Sequence, residues 1–278
     1  MDQSASEQSQ SHQQDKRVWP AKDLELLGII KMHLVELSRA EHSELKIDPD
    51  LAEASAARQH LIPIVASEFR KAATQYPIVL AKNSETGRFA PYVLNGLEPE
   101  ENLFWSGTKM DVAYVPLNIR RRPFFVGMAD TSRGASDNVL CIDIESSCIT
   151  ASGEKSIVDA DGSDSPYLKE MLLILGKLVD GQQRTSGFIN TALSLDLLCP
   201  IVLDIVLEDG KPLHVEGLYS IDEDRFRSLD KDEVARVWNE GLMDLIYSVI
   251  ISTGQISNLI RLRNERESLN RAWRDNEN

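Results

Sequence analysis

Cysteine, positive charge and long apolar runs are all scarce in this chain of 278 residues. Three cysteines, an odd number in a chain of ordinary size, exclude a disulfide-built scaffold and are typical of reduced thiols in a cytoplasm. The 30 Lys and Arg against 44 Asp and Glu give a net charge of −14, which argues against nucleic-acid binding and against docking on anionic lipid. No stretch reaches the ~20 apolar residues of a membrane helix, and no signal peptide is visible. We therefore expect a cytoplasmic protein with no nucleic-acid partner and no membrane insertion.

Motifs that carry familiar chemistry are missing as well. The sequence has no glycine-rich nucleotide or phosphate loop and no G-x-S-x-G hydrolase motif. His42, His60 and His214 lack metal-binding spacing, and Cys141 and Cys148 are not spaced as in a zinc ribbon. The sequence therefore predicts no metal and no cofactor. It leaves open whether the protein is an enzyme, and it identifies no catalytic residue.

What is present is enough apolar material for a core, at 42% hydrophobic residues. Residues 1–17 are rich in Ser and Gln and predict a disordered tail, and residues 266–278 predict a polar C-terminal tail that frays. Between them, residues 18–265 are expected to form a single domain.

Apolar periodicity predicts a mixture of strands and helices. A helix from Asp23 leads into an extended segment, Ser67 caps a short helix, and Ser165-Pro166 starts a long helix that Gly181 interrupts. Asp230 and Glu233 fit a capping box. The last helix breaks at Gly254, and the apolar stripes on the final helices are assigned to the core, with a partner groove or dimer face as the alternative. The predicted strands are 60–66, 76–80, 90–94, 102–105, 112–115, 119–126, 139–144, 200–207 and 212–221.

These elements predict an α+β fold. A mixed, mostly antiparallel sheet spans 60–145 and is joined by the 200–221 hairpin, whose Asp-Gly turn is a strong hairpin signal. Helices from 165–195 and from the C-terminal helical region 222–265 pack on one side. Pro63 places the first of these strands at a sheet edge, because proline cannot donate to a strand ladder.

Seven short motifs occur in a characteristic order and spacing. They are E-F at 68–69, Y-P-I-V at 76–79, E-N-L-F at 101–104, Y-V-P at 114–116, I-R-R at 119–121 with P-F at 123–124, C-I-D at 141–143, and E-G-L-Y at 216–219. Together they resemble the bacterial SapC family, associated with a surface-layer protein, over about residues 35–263. The resemblance implies a non-catalytic accessory or binding protein that serves a nutrient-uptake or surface-layer system through protein or peptide contacts. A homodimer is a further alternative.

An enzymatic alternative rests on five polar residues: Glu68, Tyr114, Arg120, Arg121 and Asp143. If they converge on one concave pocket, they are expected to bind a ligand and to modify a peptide or small metabolite. If they scatter into ion pairs, their role is structural, and the binding function is favoured.

Two local patterns contribute to this alternative. On the predicted strand, Arg120 and Arg122 share a face. Guanidinium groups bind carboxylates or phosphates, so this face is a candidate for binding an anionic ligand. The competing interpretation is that the arginines form ion pairs with the chain's many acidic residues. Asp143 and Glu145 also share a strand face, where two carboxylates divide acid and base roles or hold a cation. The competing interpretation there is a strand end whose acids cap a turn.

Overall fold

A computed structural model describes residues 33–128 and 138–276. The predicted tail 1–17 and the helix from Asp23 lie outside these residues. The strands are β1 (Leu34–Glu36), β2 (Lys46–Ile47), β3 (Leu61–Pro63), β4 (Ile78–Lys82), β5 (Phe89–Leu94), β6 (Phe124–Met128), β7 (Asn138–Asp143), β8 (Lys155–Ser156), β9 (Leu198–Val206) and β10 (Pro212–Ile221). The α-helices are α1 (Asp50–Ala54), α2 (Phe69–Ala72), α3 (Leu117–Arg120), α4 (Pro166–Ser194), α5 (Glu223–Arg227), α6 (Lys231–Asn239), α7 (Met243–Ser252) and α8 (Gln255–Asn276).

The larger sheet has five antiparallel strands in the order β3-β5-β4-β10-β9. Its β3 edge carries Pro63, as the sequence predicts. The late hairpin of β9 and β10 joins the earlier strands through β4, where Tyr219 pairs with Leu80. The α+β fold and the joining hairpin are therefore confirmed.

A second sheet is separate from the first, which corrects the expectation of one sheet over 60–145. Its order is β1-β7-β6, and β2 and β8 form a further two-stranded pair. The separation arises because 102–105 and 112–115 are turns and loops, and because 117–120 is helical rather than extended. At the first of these turns the side chain of Asn102 accepts from the Phe104 amide at 3.0 Å, which holds a turn in place of the predicted strand.

Helix α4 connects the two hydrophobic cores that the sheets build. Leu168 and Met171 in its first turns are buried in the core under the three-stranded sheet, and Phe188 and Ala192 are buried under the five-stranded sheet. The Ser165 hydroxyl caps the helix by accepting from the Leu168 amide at 3.1 Å, as predicted. The two cores thus share one continuous element.

Gly181 does not interrupt α4, contrary to the prediction. It is buried inside the helix, and a Cβ there would lie 2.5 Å from a Val65 methyl. The absence of a side chain lets the helix approach the 3-10 turn at Ala66–Glu68 closely. Gly181 is therefore a packing residue.

The C-terminal helices agree with the sequence at two points and differ at two. The capping box of Asp230 and Glu233 is present, and the helix breaks between Ser252 and Gln255. Where the sequence predicts a polar tail from residue 266, α8 continues as a helix to Asn276. In addition, the helical stretch Met243–Arg274 is, by length and composition alone, long and apolar enough to cross a membrane. This finding goes against the expectation that the chain contains no such stretch.

The inner face of this stretch packs as a core helix does. Leu245, Ile246 and Val249 are buried in the larger core. The outer face of α7 is apolar as well, and only 33% of the most apolar window within Met243–Arg274 is buried. The result is an apolar surface without cover among residues 33–128 and 138–276.

Candidate functional site

Glu68 lies at the centre of a buried hydrogen-bond network. One carboxylate oxygen accepts from the Tyr114 hydroxyl at 2.9 Å and from the Leu117 amide at 2.8 Å. The other accepts from the Val65 amide at 2.8 Å. Burial raises the pKa of Glu68, and these hydrogen bonds oppose the rise. The carboxylate therefore fastens α3 and the Tyr114 loop to the 3-10 turn.

Glu68 takes the capping role that the sequence assigns to Ser67. Ser67 is exposed inside the 3-10 turn, and helix α2 begins only at Phe69. The carboxylate reaches back to the amide of Val65, three residues earlier, because a longer acid side chain satisfies a first-turn amide as well as a hydroxyl does. The prediction of a Ser67 cap is therefore wrong.

The hydroxyl, the backbone amide and the backbone carbonyl of Tyr114 are all hydrogen-bonded. Its amide donates to the Gln75 side chain at 2.9 Å, and its carbonyl accepts from the Tyr76 hydroxyl at 2.7 Å. Burial, together with the Glu68 charge, raises the pKa of the Tyr114 phenol well above its ordinary value. Tyr114 therefore stays a neutral donor to Glu68.

The arginine run lies at a helix end and turn, not on a strand, so the predicted alternation of faces is wrong. Arg120 is exposed and pairs with Glu170 at 3.2 Å. Arg121 is buried; its guanidinium donates to the Asn118 side chain at 2.9 Å and to the Phe124 carbonyl at 2.8 Å. Proline at 116 and at 123 brackets the segment, and both residues disfavour a continuous strand ladder.

Arg121 has no carboxylate partner among the residues that the structure describes. Its guanidinium lies 4.0 Å from the centre of the Phe125 ring, a cation–π contact. Burial and the neighbouring Arg122 lower the pKa of Arg121 to about 9. The Arg121 side chain is hydrogen-bonded to the turn that precedes β6, which leaves few of its donors for a ligand.

Asp143 closes the end of β7. One of its oxygens accepts from the His33 amide at 3.0 Å and from the Glu145 amide at 3.3 Å. Glu145 follows in a turn, where it faces His33 at 3.5 Å. The expectation that Asp143 and Glu145 share a strand face is wrong, and the alternative of an acid that caps a turn describes the contacts.

The five predicted residues therefore do not form one constellation. Glu68 and Tyr114 meet directly, with Arg120 close enough to favour the charged form of Glu68. Arg121 and Asp143 each bond nearby backbone instead. Within the described parts of the chain, no three His, Cys, Asp or Glu side chains are grouped to hold a metal ion.

An apolar groove lies elsewhere, between α5, α6 and α7. Its volume is about 230 Å³. Tyr247 packs edge-to-face on Phe226 with ring centres 5.6 Å apart, which fixes one wall. The groove is lined by Glu223, Phe226, Arg227, Val234, Met243, Tyr247 and Ile250.

Exposed apolar side chains extend the groove on both sides. Trp238 is 71% exposed and lies four residues after Val234 on α6. Ile251 is 69% exposed and lies four residues after Tyr247 on α7. Residues four apart on a helix share a face, so each wall continues as an apolar stripe. Contiguous apolar surface of this kind marks an interaction site.

The segment that builds the groove is acidic. Residues 222–244 contain eight Asp and Glu against four Lys and Arg. The arginines are engaged within the fold: Arg227 with Glu223, Arg225 with Glu233, and Arg236 with Glu240. The groove therefore presents an apolar floor in a negatively charged surround.

Sequence reasoning missed the groove residues, although two signals were available. Helix α7 is apolar on nearly all sides, more than one buried face requires. Trp238 follows directly after Val237, the buried residue of α6, so the aromatic lies beside the buried face of the helix and not on it. Both signals stand in the sequence, but only the fold shows which face of each helix is buried and which is left open.

The fold and its surfaces define an α+β protein whose polar candidates are largely engaged in holding the fold and whose apolar groove is left open by the residues that the structure describes. The chain belongs to the SapC family, whose model matches residues 37–259. No curated protein and no solved structure is significantly similar to it.

Proposed function

We propose that this SapC-family chain is a bacterial cytoplasmic accessory protein without catalytic activity, serving a nutrient-uptake or surface-layer system by binding a protein partner. The apolar groove between α5, α6 and α7 carries the proposal. The family membership and the engagement of Glu68, Arg121 and Asp143 in structural hydrogen bonds support it.

The occupant is a basic amphipathic helix of the partner. Two apolar helix walls with a trough between them are the geometry that receives the apolar face of a helix. The excess of acids over bases in 222–244 favours a partner with Lys and Arg beside that face, and it repels anionic lipid.

A synthetic helical probe tests the groove directly. The probe carries Leu and Trp four residues apart with flanking Lys and Arg, and a twin carries Glu in place of each basic residue. We expect the basic probe to bind by fluorescence anisotropy, and Tyr247→Glu to weaken it by at least ~10-fold, since a charge replaces a central aromatic anchor. Leu173→Glu is the matched control, because Leu173 is 67% exposed on α4 and does not line the groove.

Equal binding by Tyr247→Glu and wild type would contradict the proposal, and so would preference for the acidic twin. Capture of the protein by vesicles of anionic lipid, lost in Tyr247→Glu, would assign the surface to a membrane instead. In the native cell, the proposal requires that a receptor or surface-layer component co-purify with wild type and not with Tyr247→Glu.

A further inference from the structure

The C-terminal end of α8 is a second uncovered apolar surface. Leu269 is 63% exposed and Trp273 is 71% exposed, and they lie four residues apart on one helix face. Side chains from Ser268 to Arg274 are all exposed, so nothing in the described chain covers this pair. We call residues 268–276 the helix tip.

We propose that the helix tip of a second copy of this chain occupies the apolar groove. The inference rests on the proposed function, since it names one occupant of the same groove. The tip has the features that the groove requires: helical backbone, a large aromatic and a leucine on one face, and neighbouring arginines at 271 and 274.

A chain's own tip does not reach its own groove. A straight helix from Gln255 to Trp273 spans ~27 Å, whereas Tyr247 and Gln255 are ~14 Å apart by their rise with the tighter turn at 253–254 included, so Trp273 lies ~13 Å or more from Tyr247. The contact must therefore be made between two molecules.

The charges of the two surfaces have opposite sign. The helix tip carries Arg271 and Arg274 against Asp275, and the groove segment 222–244 carries eight acids against four bases. Opposite patches favour encounter and fix the orientation of docking. Trp273 and Leu269 supply the buried anchors, because aromatic residues in pockets dominate binding energy.

Each molecule supplies both this groove and this tip, so two copies exchange two equivalent contacts. Such an exchange closes on itself as a two-fold dimer. In this dimer both grooves are filled, and a partner helix must displace the tip before it binds. Self-association thereby regulates access to the groove.

Paired variants of the full-length chain test the inference. Sedimentation of wild type is expected to show a dimer, and Trp273→Ala is expected to weaken dimerisation by ~10- to 30-fold through loss of an aromatic anchor. Tyr247→Glu is expected to be monomeric, and Leu173→Glu to dimerise like wild type. Because a mixed pair keeps one intact tip in one intact groove, a mixture of Trp273→Ala and Tyr247→Glu is expected to associate more tightly than Tyr247→Glu alone.

Three results would overturn the inference: a monomeric wild type, a mixture that associates no more tightly than Tyr247→Glu alone, or a Trp273→Ala dimer as stable as wild type. None of these affects binding of the synthetic probe, which tests the groove itself. Conversely, a dimer that survives Tyr247→Glu but not Trp273→Ala would place the tip on another surface and refute its docking in the groove.

Discussion

At the scale of single residues, one buried carboxylate joins three segments of the chain. Glu68 is 1% exposed and accepts from Val65, Tyr114 and Leu117. Replacement by Gln exchanges one of the two acceptor oxygens for an NH2 group, which cannot accept from the donors that this oxygen serves. Because buried donors without partners are costly, we expect Glu68→Gln to lower the free energy of unfolding by about 2–4 kcal/mol.

Urea denaturation measures this loss, and Tyr114→Phe is the graded control. That change removes one hydroxyl and leaves both backbone bonds of Glu68, so about 1 kcal/mol is expected. If the two variants were equally stable, the backbone bonds of Glu68 would carry none of the effect.

Two histidines are expected to titrate on opposite sides of 6.5, their ordinary value. Hydrogen bonds to Asp204 and Glu216 raise the pKa of His214, whereas burial lowers the pKa of His60. The contribution of His214 to stability is therefore present below pH 6.5 and is lost as the pH rises through its folded-state pKa. That of His60 is present above pH 6.5 and is lost as the pH falls through its folded-state pKa.

NMR titration of the imidazole signals checks both directions. Asp204→Asn removes the carboxylate charge 2.7 Å from the His214 ring and is expected to lower the pKa of His214 while leaving that of His60 unchanged. Identical midpoints for the two histidines would contradict the assigned environments.

Residue roles were the least predictable level from sequence. The run Arg120–Arg122 alternates on a strand but not at the end of a helix, and which applies depends on packing around Pro116 and Pro123. The meeting of Glu68 with Tyr114 joins residues far apart in the chain, which local spacing does not encode. Local caps, in contrast, were readable: Ser165 and Asp230 act as their neighbours predict.

At the scale of elements, two glycines of α4 have different roles: Gly181 packs closely against a neighbouring element, whereas Gly176 faces open space. We expect Gly181→Ala to destabilise the protein by about 1–2 kcal/mol, because the new Cβ would lie 2.5 Å from Val65 in a packed core. Gly176→Ala is the matched control, because no atom outside the helix's own backbone lies within 4 Å of the Cβ that alanine would add. Alanine is the better helix former, so this change is expected to stabilise the protein by up to ~1 kcal/mol. Thermal unfolding compares the two, and the same sign for both would contradict the close approach.

Element types were predicted best where the signal was local. The Asp-Gly hairpin and the break near Gly254 follow from turn chemistry that needs no distant partner. The strands expected at 102–105 and 112–115 were wrong because short apolar runs also line turns that pack on a core. The continuous α4 was missed because a glycine that breaks an exposed helix is tolerated where another element covers it.

At the scale of the whole molecule, α4 places both cores in one cooperative unit. Leu168 is buried in one core and Phe188 in the other. We expect Leu168→Ala to cost about 2–5 kcal/mol and Phe188→Ala about 3–5 kcal/mol, each shifting one common unfolding transition. Circular dichroism and tryptophan fluorescence, recorded together, are expected to coincide for both variants. Separate transitions would show that the cores unfold independently.

The division into two sheets and the uncovered groove were beyond sequence reasoning. Both depend on which apolar faces find a partner, a property of the assembled chain. The stripes on α7 were identified, but only the fold shows that Leu245 and Val249 face inward while Tyr247 and Ile251 face out.

The position of β10 also has a consequence for biosynthesis. Strand β4 sits between β5 and β10 in the larger sheet, and β10 is translated long after β4. Until the ribosome has released β10, Ile78 to Leu80 present an open, apolar edge that invites pairing with other nascent chains. A message truncated before β10 is therefore expected to yield aggregates, and holdase chaperones are expected to attend the nascent chain until the hairpin emerges.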